Sequence, residues 1–238
     1  MNVEGRNILI TGANRGIGAA FVEDAKRRGA ATIYAAARDI DSITATGVER
    51  IRLDVTDPAQ IAAAASAAAD VHVLVNNAGI STSTPLTTGD EEAIRREMDT
   101  NFYGPLRMIR AFAPALARNG GGAIVNVVSA LSWFTTPMSG AYSASKAAAW
   151  SLADSARLEL AGQATHVVAV HMGLVDTDMS DGIPGPKVAP IDLASAALDA
   201  VESGAQEVLA DDWAAFIKAG LDLDPAERYG RIFAALGG

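Results

Sequence analysis

The sequence predicts an α/β chain: a doubly wound, mostly parallel sheet of seven strands with helices on both faces. Two observations carry that expectation. Short β-branched runs alternate with Ala-rich helical stretches along the whole chain. Most strand candidates are also continuous apolar runs instead of alternating ones, which suits strands buried on both faces.

The strand candidates are 7–11, 32–36, 50–53, 71–75, 123–128, 166–171 and 207–209. Between them, 16–28, 58–68, 90–117, 142–160 and 192–202 read as helices. Right-handed crossovers between parallel strands then cover both faces of the sheet. No Pro/Ser/Gly linker, charge block or repeat divides the chain, so residues 1–238 are expected to form one domain. The segment 180–186, rich in Gly and Pro, is expected to be a lid, or failing that an ordinary surface connection. A further helix is expected after Asp211-Asp212-Trp213.

Composition removes several functions. Half of the residues are hydrophobic but only 5% are aromatic, so the core must be built mainly from Ala, Val, Ile and Leu. Without cysteine there is no thiolate chemistry, disulfide or Cys-ligated zinc. His72, His166 and His171 lack metal-ligand spacing and are assigned structural roles; no metal site is expected. A net charge of −9 argues against nucleic acid or an anionic membrane as a general partner. The apolar run 8–10 is too short for a signal peptide, and the stretch 61–69 falls well below the ~20 residues that cross a bilayer. A soluble, cytoplasmic protein is expected.

The first strand runs into Thr11-Gly12-Ala13-Asn14-Arg15-Gly16-Ile17-Gly18, where a helix begins. Glycines there permit a tight turn and let backbone N–H groups approach a pyrophosphate, and the helix N-terminus adds its positive end. Gly12, Asn14, Arg15, Gly16, Ile17 and Gly18 are therefore candidate dinucleotide contacts. Glycine turns are common, and the position between first strand and first helix gives this one its weight.

A second cluster follows the fifth strand: Ser129, then Tyr142-Ser143-Ala144-Ser145-Lys146. Four residues apart on a helix, Tyr142 and Lys146 share a face. A neighbouring ammonium favours phenolate and is expected to lower the proton affinity of Tyr142 from its usual pKa of ~10. Tyr142 can then give a proton to a carbonyl oxygen or take one from an alcohol, while Ser129 hydrogen-bonds that oxygen. Tyr-x-x-x-Lys alone is a weak signal, since a surface Lys beside a half-buried Tyr gives the same spacing; the glycine turn and Ser129 together make it specific.

These motifs resemble the short-chain dehydrogenase/reductase family, in its compact single-domain branch, from residue 7 to about 209. The resemblance implies a Rossmann-type fold with Asn101, Ser129, Tyr142 and Lys146 at the catalytic centre, Asn101 holding a water that links Lys146 to solvent. It also implies cofactor contacts from Asp54 and Val55 at the adenine edge and from Asn77, Ala78 and Gly79 near the adenosine ribose. Val175 and Thr177 would meet the nicotinamide carboxamide and nearby phosphate, with Tyr142 and Lys146 completing the set. Asp54 in an Asx turn, and Asn76 as a tie between strands, are the simpler alternatives. Two departures stand out. Met172-Gly173 replaces the family's Pro-Gly, which is expected to loosen that turn, and the chain continues past residue 209 where the family ends on a Gly-rich tail.

The sequence also addresses which cofactor. NAD-preferring folds carry an acidic residue about 20 positions beyond the glycine turn. Here that place is Ala37, followed by Arg38, and Arg15 lies in the turn itself. Two guanidiniums on a 2′-phosphate would favour NADP(H) by about 10²-fold, unless Asp39 neutralises Arg38.

Reduction of an apolar ketone or aldehyde is the leading expectation, with Leu131, Trp133, Phe134, Met138, Met172 and Leu174 as candidate pocket residues. Alcohol oxidation by the same site, and a non-catalytic NADP(H) sensor, are the alternatives. Small residues such as Ala147-Ala148-Ala149 and Ala153 allow helices 90–117 and 142–160 to pack closely. Since the family pairs these helices across a two-fold axis, a homodimer or homotetramer is expected.

Overall fold

The computed structural model describes residues 1–237. In chain order its elements are β1 (Asn7–Thr11), α1 (Gly16–Arg27), β2 (Thr32–Ala37), β3 (Glu49–Arg52), α2 (Pro58–Ala67), β4 (Val73–Asn76), α3 (Glu91–Met98) and α4 (Gly104–Arg118). They continue with β5 (Gly122–Val127), α5 (Gly140–Glu159), β6 (Thr165–His171), β7 (Leu174–Val175), β8 (Lys187–Val188), α6 (Pro190–Ser203), β9 (Glu207–Leu209), α7 (Asp212–Lys218) and α8 (Pro225–Ala235).

Seven strands form one parallel sheet in the order β3-β2-β1-β4-β5-β6-β9. The order reverses between β1 and β4, and the crevice outside the carboxyl ends of such a pair is where doubly wound folds bind ligands. Successive residues of a strand face opposite sides. Ile8, Ile10, Val73, Val75 and Val125 therefore pack beneath α1 and α6. Leu9, Leu74 and Ile124 pack beneath α2, α4 and α5. Each such side chain, taken from water, contributes ~1.5–3 kcal/mol. Both faces are covered, which explains why these strands read as unbroken apolar runs.

One expectation needs correction, and two features come in addition. The stretch 90–117 is not one helix: α3 and α4 are separated by a π turn over Asp99–Tyr103. The N–H of Gly104 reaches back five residues to Asp99 O, and Pro105 has no N–H to give the carbonyl of Asn101. The segment 180–186 is anchored at both ends, because β7 and β8 pair in a second, two-stranded sheet. Finally, α8 follows the expected α7, and the two cover the segment after β5, burying Ala214, Ile217 and Ile232 against Trp133 and Phe134. Among the described residues no helix is long and apolar enough to cross a membrane.

Candidate active site

The glycine turn has the shape that the sequence implied. Gly12 and Gly16 take positive φ, 66° and 52°. A Cβ on Gly12 would lie 3.0 Å from Asn77 Nδ2 and 3.2 Å from Ala78 Cα, and one on Gly18 would collide with the carbonyl of Gly12. No side chain caps α1, so its first N–H groups keep no partner of their own in the helix or its cap. A cradle without room for a Cβ, lined by free amides at a helix start, fits a dinucleotide pyrophosphate. Asn14, Arg15 and Ile17 lie in this turn, with Arg15 exposed.

Thr11 locks the cradle to the neighbouring strand. Its Oγ1 donates to Val75 O (3.1 Å) and accepts from the amides of Asn77 (2.9 Å) and Ala78 (3.0 Å). Asn77 Nδ2 donates to Thr11 O at 2.8 Å, so its side-chain nitrogen and its backbone amide are both committed to the turn. Asn76 donates to Asn126 Oδ1 at 2.8 Å, tying β4 to β5. Asp54 accepts from Thr56 N (2.9 Å) and Thr56 Oγ1 (2.7 Å), the Asx turn weighed above. Val55 is buried beneath Gly104. On the far side Thr177 approaches Gly16, whose Cβ would lie 3.1 Å from its methyl, and Val175 is buried in β7.

Three arginines lie near the glycine turn and the end of β2. Arg38 is exposed just beyond β2 and has no ion-pair partner among the described residues. Asp39 does not neutralise it: that carboxylate accepts from the amide of Asp41 at 3.1 Å and caps a short 3-10 turn. Arg52, which no motif singles out, donates to Arg38 O at 3.1 Å and so places its guanidinium at the backbone of Arg38. Arg15 instead pairs with Asp178 at 2.5 Å, both side chains largely exposed.

The second cluster gathers at the same end of the sheet. Ser129 follows β5 and begins a 3-10 turn, its Oγ accepting from Leu131 N at 3.1 Å and keeping its own proton free to donate. Tyr142 and Lys146 lie in the first two turns of α5, with Lys146 Nζ 5.5 Å from the centre of the Tyr142 ring. Lys146 is buried and donates to Val127 O at 2.9 Å; burial brings its pKa down to about 8. Tyr142 departs from the expected direction. Burial pushes its pKa up, the charge of Glu97 pushes the same way, and the Ser129 hydroxyl pulls only partly against them.

Asn101 sits in the π turn with its amide fully used. Oδ1 accepts from Ile80 N, and Nδ2 donates to Ile80 O and Ser145 Oγ, each at 2.9 Å. A Cβ on Gly79 would be 3.1 Å from Asn101 Oδ1 and 3.7 Å from Lys146 Nζ, so all three residues meet there.

Behind Ser129 stands His171, fully buried, stacked on Trp133 with ring centroids 3.8 Å apart. Its Nδ1 lies 3.2 Å from both Ser129 O and Ser132 Oγ. Burial lowers its pKa from 6.5 to about 4. The unfolded chain therefore takes up a proton that the folded chain refuses as pH falls from 6.5 towards 4. Stability is whole above that window and is lost on acidification through it. Urea unfolding at pH 7 and pH 5 should show this group withdrawing about 2 kcal/mol. The His171→Gln variant should lack that part of the slope; an equal slope in the variant would assign it to other groups.

The candidate pocket is only partly a pocket. Trp133 and Phe134 belong to the core under α7 and α8, and Met172 to the core under α1 and α6. Leu131 and Leu174 are half-buried, and Met138 is exposed. The turn at Met172-Gly173 is not loose: Gly173 N donates to Asp211 Oδ2 at 2.7 Å, and Asp211 Oδ1 accepts from Ala214 N at 2.7 Å. A carboxylate thus fixes the turn where the family relies on a proline ring.

The family model for short chain dehydrogenases matches residues 6–186. A short chain dehydrogenase from Burkholderia cenocepacia, solved in complex with NADP, is 41% identical with a TM-score of 0.92, covering 97% of this chain and 98% of that one. A sorbitol dehydrogenase from Cereibacter sphaeroides is 36% identical over 77% of this chain and 75% of its own length. The NADPH-dependent 1-acyldihydroxyacetone phosphate reductase of Schizosaccharomyces pombe is also 36% identical, over 71% of this chain but only 60% of its own length. The protein belongs to the short-chain dehydrogenase family.

Proposed function

We propose that the protein transfers hydride between NADP(H) and a carbonyl or secondary alcohol, acting chiefly as a reductase of apolar ketones or aldehydes. The observation that carries this reading is the meeting of Ser129, Tyr142 and Lys146 at the open end of the glycine cradle. Arg38 and Arg52, with Ala37 where a carboxylate would hold a ribose hydroxyl, support NADP(H) over NAD(H). The NADP-bound Burkholderia protein and the NADPH-dependent yeast relative point the same way. Exposed Leu86, Met138, Met179 and Ile183, on loops beyond the strand ends, support an apolar substrate.

In this reading bound NADPH supplies the hydride. Ser129 Oγ donates a hydrogen bond to the substrate carbonyl oxygen and stabilises the charge that develops there. The Tyr142 hydroxyl gives that oxygen its proton, completing the alcohol. Lys146, charged at neutral pH, lies between Tyr142 and the Asn101–Ile80 pair, and through it Tyr142 regains a proton from solvent.

The same atoms run backwards for an alcohol, and the likeness to a sorbitol dehydrogenase favours keeping that direction as the second reading. Consumption of NADPH with a panel of ketones and aldehydes, scored by kcat/KM, tests the first. Binding of NADPH without turnover on any member would leave only a sensor. Assembly is part of the proposal: α4 and α5 pair across a two-fold axis, with Leu158 of α5 80% exposed in the monomer. Light scattering should report at least a dimer at micromolar concentration, and a monomer would refute this part.

A further inference from the structure

His171 is a buried histidine that the mechanism above does not use. It ends β6 with no exposed surface, its ring flat against Trp133. Nε2 has no hydrogen-bond partner; Glu207 Oε1 lies 3.7 Å away, on a carboxylate that pairs with Lys218. A buried ring nitrogen left bare is costly, and a phenyl ring would stack on Trp133 without that cost. Packing therefore accounts for a flat ring at this place but not for a histidine.

The other nitrogen leads to Ser129. Nδ1 lies 3.2 Å from Ser129 O and 3.2 Å from Ser132 Oγ. Ser132 spends its only hydroxyl proton on Ser129 O, at 2.6 Å. Both neighbours of Nδ1 are therefore acceptors, so Nδ1 carries the proton of the ring and donates it, and the bare lone pair falls to Nε2. A neutral ring agrees with the burial that brings the pKa of His171 down to about 4. The receiving carbonyl stands where the chain leaves β5. Val128 N and Ala130 N still reach the carbonyls of Val170 and Met172, at 3.0 and 2.8 Å. Ser129 O, between them, accepts from Ser132 N at 3.0 Å, from Ser132 Oγ and from His171.

We propose that His171 is a positioning residue for Ser129: its Nδ1–H, with Ser132, pins the Ser129 carbonyl and so fixes the direction in which the Ser129 hydroxyl meets a substrate oxygen. The peptide after Ser129 then cannot rotate about its flanking bonds. The 3-10 turn keeps Leu131 N against Ser129 Oγ, and the hydroxyl proton is left for the ligand. Such a donor stabilises a developing oxyanion only when held within about 0.5 Å of its place. Trp133 holds the imidazole in the plane that this contact needs.

The inference rests on Ser129 being the donor to the substrate oxygen in the proposed reaction, and the test separates the two. Turnover of the fastest ketone or aldehyde of the panel with NADPH is measured for His171→Phe, His171→Asn and His171→Gln. His171→Phe is also measured in a Ser129→Ala background. Phe keeps a stacked ring without Nδ1, Asn returns an N–H near the place of Nδ1, and Gln carries its N–H further out, near Nε2. The Phe and Gln variants should lose about tenfold in kcat with NADPH affinity within about twofold, and the Asn variant should stay within about threefold of the unmodified protein. In the Ser129→Ala background the Phe substitution should cost nothing more, because the group it positions is gone. A merely structural role would cost the same factor in both backgrounds, and that result overturns the proposal. So does a Gln variant as active as the Asn variant, a comparison that stands even where His171→Phe does not fold. Undiminished turnover by Ser129→Ala overturns the reading of Ser129 itself, and this inference with it.

Discussion

Replacing Tyr142 by Phe is expected to lower kcat by about 10²–10⁴ while NADPH affinity stays within a few-fold. Phe keeps the ring where it packs, 5.5 Å from Lys146 Nζ, and the glycine cradle is untouched. What disappears is the one hydroxyl placed beside Ser129 that can give a proton to the substrate oxygen. The rise in Tyr142 proton affinity sharpens the expectation: in the free protein the residue carries its proton through the neutral range, ready for reduction. Lys146→Ala should act differently and weaken both cofactor binding and rate. Fluorescence titration of NADPH, beside turnover of the best ketone from the panel, separates the two effects. Near-normal turnover by the Phe variant would end the mechanism.

The second large effect concerns cofactor choice. Arg38→Ala should lower kcat/KM with NADPH by about 10- to 10²-fold and leave NADH nearly unchanged, since one charge-assisted contact contributes roughly 1.5–3 kcal/mol. The rival for Arg38, Asp39, is spent on a turn, and Arg52 adds charge nearby. Arg15 is expected to matter less. It begins in a pair with Asp178, and although an exposed ion pair is worth only ~0–1 kcal/mol, that contact must open before a phosphate can take its place. Kinetics with both cofactors on one substrate decide the matter; an unchanged NADPH preference in Arg38→Ala would remove Arg38 from this role.

The sheet, its order reversal and the glycine turn were legible because each rests on a local signal: apolar runs for strands buried on both faces, and glycines where a Cβ has no room. Tyr142 and Lys146 were legible because helical spacing alone brings them to one face. What escaped depended on contacts distant in the chain. Glu97 is buried by the packing of α3 on α5, and nothing short of its place on the face shared with Asn101 could have singled it out. Asp211 read only as the approach to a further helix, because its partner Gly173 lies 38 residues earlier. Trp133 and Phe134 looked like pocket residues for want of any sign that α8 would cover them. The direction of the Tyr142 shift escaped for the same reason, since the sequence displays the lysine one turn away and hides the burial that dominates it.

Asp211 has a consequence for how the molecule tolerates change. One carboxylate grips the amide of Gly173 with one oxygen and starts α7 with the other. The stretch from α7 onward and the turn beside Ser129 are therefore a single mechanical part. A tail exchanged with a relative's would carry the anchor of that turn away with it, unless a proline were restored at position 172 in the same step. Insertions between β9 and α7 would act on the reaction through this joint, without adding a single atom to the cleft.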